Sequence, residues 1–189
     1  MNRTFIFAFI LLTTLSIVNA IPLQKNSTVF LPCPIKPAPD LLSVTIKPDP
    51  PVAGKSESFT ISGKLHKDIN VLTVLAIVFG DASLPPKPLQ LPFISLVCGI
   101  EGKPKCPIKA GTSFTVTADS VSVPSHLTSP YTIGVAIGIP TGNPKSPFDA
   151  FGCTFAIVGK PKATGLSPNS YPIDDLFNNT FVEYPNAFQ

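Results

Sequence analysis

Apolar and polar residues alternate one by one along most of this 189-residue chain, and this period of two is typical of β-strands. In residues 131–139 every second side chain is large and apolar, and those between are Thr, Gly, Ala and Gly. Similar runs cover residues 42–46, 59–65 and 114–118, whereas no segment shows a 3.6-residue apolar stripe. The pattern predicts an all-β, immunoglobulin-like sandwich of two antiparallel sheets with seven to nine strands.

Two segments depart from simple alternation. After Ala118 the apolar phase slips and resumes at Val121 and Val123, which predicts a β-bulge. Residues 71–79 are apolar on both faces, a pattern that also suits a short buried helix. Their β-branched content and the Gly80-Asp81 stop favour a strand.

The two ends of the chain differ from the middle. Residues 1–20 have a charged start, a short apolar run and a Val-Asn-Ala end, which predicts a signal peptide rather than a membrane anchor. Residues 21–32 form an N-terminal segment and residues 33–158 the domain. Residues 159–189, rich in proline, are predicted to be a poorly ordered extension. The alternative is a strap packed on the domain through Leu176, Phe177 and Phe181.

Four cysteines in an exported chain are expected to be oxidised, and spacing alone allows three pairings. Asn26 and Asn178 each begin a glycosylation sequon. We therefore expect a protein that is secreted or delivered to the lumen of the secretory or vacuolar pathway.

Several function classes are disfavoured by what the chain lacks. Without the leader, 13 lysines face 11 acidic residues, and the lysines are scattered, so nucleic-acid binding is not expected. His66 and His126 lie in turn-like polar surroundings, and Asp174-Asp175 suits a solvated turn. Because the sequence has no nucleophile motif and no metal-ligand spacing, we expect no catalytic residue, no metal and no cofactor. We also expect the protein to be a monomer.

A set of features occurs in a particular order along the chain. These are Cys33-Pro34, residues 47–54 (KPDPPVAG), Cys98 followed by Cys106-Pro107-Ile108, Val123-Pro124, and Cys153 at the last strand. In this order, behind a leader, they resemble the ML lipid-recognition family over about residues 33–158. The similarity is greatest to the fungal phosphatidylglycerol/phosphatidylinositol transfer proteins and the Niemann–Pick type C small sterol carrier. That sterol carrier has an additional disulfide for which this chain has no cysteines.

The resemblance implies disulfides Cys33–Cys153 and Cys98–Cys106, and a sterol or phospholipid held in an apolar cavity between two splayed sheets. The expected cavity residues are Phe59, Ile61, Phe79, Phe93, Phe114, Tyr131, Ile133, Val135 and Phe155. It also implies transient membrane contact and lipid transfer. Two alternatives remain: a secreted lipid-sensing or protein-recognition module, and a structural sandwich with a filled core.

The cavity entrance is expected where strands end beside proline, which cannot donate a hydrogen bond to a sheet. Residues 92–94, which include Phe93, and residues 123–131, which end at Tyr131, meet this condition. Both are also compatible with ordinary turns. Lys103, Lys105 and Lys109 lie near the first segment and are expected to meet anionic headgroups.

Overall fold

The computed structural model describes residues 27–83, 85–143, 146–159, 172–173 and 175–177. The predicted leader, the sequon asparagines Asn26 and Asn178, and Phe181 lie outside the described residues. Within the described part, nine strands form two sheets, in agreement with the predicted all-β sandwich.

The larger sheet has the strand order β1-β9-β8-β5-β6, with β2 also paired to β9, and the smaller sheet has the order β3-β4-β7. Neighbouring strands run antiparallel except β2 and β9, which are parallel. The strands are β1 Leu31–Pro32, β2 Asp40–Leu41, β3 Ser43–Lys47, β4 Ser56–Lys64, β5 Val74–Asp81, β6 Phe93–Leu96, β7 Ser113–Ser122, β8 Tyr131–Pro140 and β9 Phe148–Val158.

The main core lies between the two sheets. Alternate residues of β4 and β7 face alternate residues of β5 and β8, and their apolar side chains form one buried cluster. Burial of these side chains is the main favourable contribution to the stability of the sandwich. Ile46 and Leu42 extend the cluster on the β3 side.

A second core covers the outer face of the larger sheet. Ile173, Leu176 and Phe177, part of a short helical turn, are at most 4% exposed and pack on this face. Leu176 and Phe177 are two of the three residues named for the strap alternative, and the third, Phe181, lies outside the described residues. Because both faces of the sheet are covered, β5 is apolar on both faces, as in sheets buried on two sides.

The structure confirms the predicted bulge but differs from the sequence prediction at two strands. The predicted bulge is confirmed: the register of β4 and β7 shifts between Glu57 and Phe59, opposite Ser120, whose φ is +59°. The strand expected from residue 71 begins only at Val74. Residues 31–32, placed before the domain by the sequence, are strand β1 of the larger sheet.

One side of the sandwich is closed by the chain itself. The chain passes from β2 in the larger sheet to β3 in the smaller sheet, and Leu42 at this crossing is 2% exposed. The expected disulfides are confirmed, with Cα–Cα distances of 5.6 Å for Cys33–Cys153 and 5.3 Å for Cys98–Cys106. The opposite side lies between β6 and β7, the last strands of the two sheets.

Candidate functional site

Seven of the nine residues predicted to line a cavity lie together between the sheets. Each of the seven is at most 6% exposed. They are Phe59, Ile61, Phe79, Phe114, Tyr131, Ile133 and Val135. Phe93, on the edge strand β6, is partly buried and packs against the same cluster.

Phe155 differs from this set because it points away from the smaller sheet. It pairs with Gly134 across β8 and β9, and therefore shares the outer face of the larger sheet with Cys153 and Phe177. The neighbour of Ile133 on the inner face is Ala156. Sequence alternation showed that Phe155 and Cys153 share a face, but it did not show which face was the inner one.

The inner side chains pack closely where the two sheets meet. Phe59 of β4 and Phe79 of β5 are in edge-to-face contact, with ring centroids 6.4 Å apart, and both are at most 1% exposed. This geometry is favourable for aromatic pairs. The two sheets are therefore in direct contact here, and an acyl chain would have to displace these rings to pass between them.

Open space occurs at one end of the sandwich. A pocket of about 490 Å³ lies beside the start of β7 and the loop that carries Cys106. It is lined by Pro104, Pro107, Ile108, Lys109, Thr112, Ser113, Phe114 and Thr115. Among the nine predicted residues, only Phe114 lines it, so this pocket is not the predicted cavity. Phe114 also belongs to the inter-sheet core, and it therefore connects the pocket with the apolar interior.

Side chains bridge the side of the sandwich between β6 and β7. Gln90, three residues before β6, donates from Nε2 to the carbonyl oxygen of Ser122 at 2.6 Å. Lys103, after β6, donates to the carbonyl oxygen of Thr117. Both acceptors belong to β7, so these two hydrogen bonds join the edges of the two sheets. Side-chain bonds of this kind can break without loss of the strand pairing within either sheet.

The predicted entrance residues have different environments. Phe93 is partly buried at the edge strand, whereas Tyr131 is only 5% exposed and belongs to the core. Burial lowers the pKa of Lys103, against an opposing effect of Asp119. Lys109 forms an ion pair with Asp68 at 2.9 Å. Lys105 is exposed, and no ion pair joins it to any described residue.

Glu57 is a buried polar residue that the sequence analysis did not single out. It is 1% exposed, and neither carboxylate oxygen accepts a hydrogen bond of normal geometry from the described residues. Burial and the nearby Asp49 raise the pKa of Glu57 to about 7, with a small opposing effect of the Val52 amide. Extending the alternation of Phe59 and Ile61 back by two residues would have placed Glu57 on the apolar face.

The described residues contain no cluster of three or more His, Cys, Asp or Glu side chains that could hold a metal ion. His66 is paired through Nδ1 with Asp40, but its side chain is 93% exposed and stands on the surface. In the described parts of the chain, no helix combines the length and apolarity required to cross a membrane.

Two packed sheets with an apolar interior, two disulfides and a pocket lined in part by the core residue Phe114 define the class of disulfide-bonded β-sandwiches. The family model for the ML domain matches residues 27–145, more than half of the chain. The chain belongs to the ML domain family, a family of lipid-binding β-sandwiches. The larger sheet continues beyond the matched range through β9.

Among solved structures, a crystal structure of chicken MD-1 complexed with lipid IVa is similar to this chain. The sequence identity is 15%, the match covers 70% of this chain and 88% of that chain, and the TM-score is 0.42. A comparison with curated proteins found no match.

Proposed function

We propose that this protein takes up a lipid between its two sheets, through the β6–β7 side, and carries it between membranes. The observation that carries the proposal is the pocket of about 490 Å³ whose wall includes Phe114, a residue of the inter-sheet core. A volume in this range is typical of sites for small apolar ligands. The cargo is a sterol or a phospholipid, as in the carriers that the sequence resembles.

The difference between the β2–β3 side and the β6–β7 side of the sandwich supports entry of the lipid between β6 and β7. On one side the β2–β3 crossing joins the sheets through the single residue Leu42, which holds them together, whereas the link between β6 and β7, residues 97–112, is long enough to let those edges move apart. On the other side, Gln90 and Lys103 hold β7 through side-chain hydrogen bonds. Breaking two such bonds costs on the order of 1 kcal/mol each, and burial of an acyl chain offsets this at about 25 cal/mol per Å².

An exposed apolar group near the pocket supports membrane contact. Val71 and Leu72 are 60% and 70% exposed, and Val71 lies against Gly99, next to Ile100, which is 45% exposed. Lys105 is exposed in the same loop as Ile100. Apolar side chains can enter the headgroup region, and each nearby lysine contributes about 1 kcal/mol at an anionic surface.

Membrane contact can be tested by changing Leu72 to Ser. We expect slower transfer to anionic vesicles with unchanged lipid binding, because Leu72 lies outside the core. Leu41→Ser is the matched control, since Leu41 is 57% exposed on β2, on the closed side. Equal transfer by both variants would exclude the 71–72 loop as the contact surface.

The main experiment combines identification of the bound lipid with a transfer measurement. Native mass spectrometry and lipid extraction should show a lipid bound to the purified, secreted protein. Transfer of fluorescent lipid between liposomes should then be measured for Thr115→Trp and Thr45→Trp. Both threonines are exposed on edge strands of the smaller sheet, but only Thr115 lines the pocket.

We expect Thr115→Trp to slow transfer at least fivefold and Thr45→Trp to leave it unchanged. Absence of both bound lipid and transfer would contradict the proposal and support a structural sandwich. Binding without transfer would instead support the alternative of a lipid-sensing or protein-recognition module. Equal effects of the two tryptophans would mean that the lipid enters elsewhere.

A further inference from the structure

Glu57 lies on the apolar inner face of β4. It precedes Phe59 by two residues and therefore projects to the same side of the strand as Phe59. Its partner across the sheet is Val121 of β7, which is fully buried. The carboxyl group thus lies at the opposite end of β4 from Gly63, the partner of Phe114, and therefore away from the pocket.

The carboxyl group of Glu57 lacks the partners that buried polar groups normally have. Neither oxygen accepts a hydrogen bond of normal geometry from any residue that the structure describes. A buried polar group without a partner destabilises a fold by roughly 1–3 kcal/mol, and a charged one by more. Nearly all buried polar groups are satisfied in native proteins, so an unsatisfied one indicates a missing partner.

The groups around Glu57 restrict what that partner can be. Asp49, which accepts hydrogen bonds from the amide and hydroxyl of Thr28, adds negative charge nearby. Tyr131 is 5% exposed, and burial together with Glu57 and Asp49 raises its pKa to about 12, so its phenol stays neutral. An anionic phosphate would be repelled by the two acids, and a buried ammonium ion would lose its hydration.

We propose that Glu57, together with Tyr131, recognises the hydroxyl group of a neutral lipid whose apolar part lies between the sheets. A hydroxyl group donates to a carboxylate and accepts from a carboxylic acid, so it satisfies Glu57 in either protonation state. The inference rests on the proposed function and narrows its cargo to a hydroxyl-bearing lipid such as a sterol or a long-chain alcohol.

The test compares a lipid alcohol with the same lipid as its methyl ether, which cannot donate a hydrogen bond. The probes are dehydroergosterol with its methyl ether, and 1-hexadecanol with hexadecyl methyl ether. At pH 8, above the raised pKa of about 7 of Glu57, the carboxylate can only accept, so we expect the wild-type protein to bind at least one alcohol about tenfold more tightly than its ether. Glu57→Leu should abolish this preference, and Glu57→Gln should retain most of it.

Glu101→Gln and Glu101→Leu are the matched controls, because Glu101 is an exposed glutamate. Circular dichroism should show that Glu57→Leu still folds, since it removes an unsatisfied buried group. Equal binding of alcohols and ethers, or binding of phospholipid alone, would overturn the inference while the proposed function stands. Absence of any lipid binding would contradict the proposed function itself.

Discussion

The environment of each phenylalanine depends on the face of the strand from which it projects. Phe59 and Phe79 meet between the sheets, whereas Phe155 belongs to the buried cluster on the outer face that also contains Phe177. The residues are chemically identical, and the difference arises from the register of β9, which pairs Phe155 with Gly134. A shift of one residue would exchange the two faces.

The buried carboxyl group of Glu57 predicts a pH-dependent stability. Because its pKa is raised to about 7, the folded protein retains a proton that the unfolded chain releases above about pH 4.5. The contribution of Glu57 to the free energy of unfolding should therefore be largest below about pH 4.5. The free energy of unfolding should decrease as the pH rises from about 4.5 towards about 7, and it should then level off.

Urea denaturation at pH 4.5, 6 and 8 measures this effect, with Glu57→Gln as the comparison. The variant lacks the titrating group, so its stability should decline less over the same range. Asp49 and Tyr131 are the titratable groups that interact with Glu57, and the raised pKa of Tyr131 places its own effect above pH 10. Parallel pH profiles for both proteins would contradict the prediction.

The two aromatic residues expected at the entrance should respond differently to truncation. Tyr131 belongs to the inter-sheet core, so Tyr131→Ala should lower the free energy of unfolding by about 3 kcal/mol or more. Phe93 lies partly exposed on β6, and Phe93→Ala should cost about 1 kcal/mol but alter the rate of lipid transfer. Denaturant unfolding and liposome transfer together distinguish these roles. A larger loss of stability for Phe93→Ala than for Tyr131→Ala would place Phe93 in the core.

At the scale of secondary structure, glycines in β5 and β8 allow the C-terminal segment to pack on the larger sheet. A Cβ atom on Gly80 would lie 2.6 Å from Leu176 Cδ1, and one on Gly134 would lie 2.8 Å from Phe177 Cζ. Real Cβ atoms do not approach other atoms so closely, so any other residue at these positions would force the side chains of Leu176 and Phe177 to shift. The glycines of β5 and β8 therefore leave room for the side chains of Leu176 and Phe177.

Gly134→Ala is expected to destabilise the protein by about 1–3 kcal/mol, because its methyl group would overlap Phe177. In a Phe177→Ala background the same change should cost much less, and thermal unfolding of the four proteins measures this coupling. Gly63→Ala is the control, since its Cβ would have no neighbour closer than 3.3 Å. Additive effects of the two changes would indicate that the segment does not pack on Gly134.

At the scale of the whole molecule, the two disulfides constrain loops of very different length. Cys33 and Cys153 are 120 residues apart, whereas Cys98 and Cys106 are 8 residues apart. The longer bridge connects Cys33, directly after β1, to β9, and the shorter one lies within the loop that borders the pocket. The longer bridge is therefore expected to stabilise the fold, and the shorter one to shape the pocket rim.

Replacing Cys33 and Cys153 together with Ala should lower the free energy of unfolding by about 5 kcal/mol, because the unfolded chain gains entropy. The corresponding change of Cys98 and Cys106 should cost roughly 2.5 kcal/mol by the same reasoning. Chemical denaturation of both double variants provides the measurement. A larger loss for the shorter bridge would show that loop entropy does not dominate.

The sequence by itself determined the class of fold, most of the longer strands and the bulge in β7. These follow from a period of two, from turn residues and from a phase slip after Ala118, all of which are local properties. The disulfide pairs followed from the resemblance to the ML family. Alternation also grouped the inner residues of β4 and β8, whereas β5, apolar on both faces, gave no such grouping.

Only the tertiary structure decided which face of each strand is internal and what covers the other face. Leu176 and Phe177 follow β9 by more than ten residues, and no local pattern shows that they return to the glycines of β5 and β8. The burial of Glu57 likewise depends on β7 and β8, which are far away in sequence. Alternation specifies two faces, but the packing of distant segments determines which face meets the second sheet.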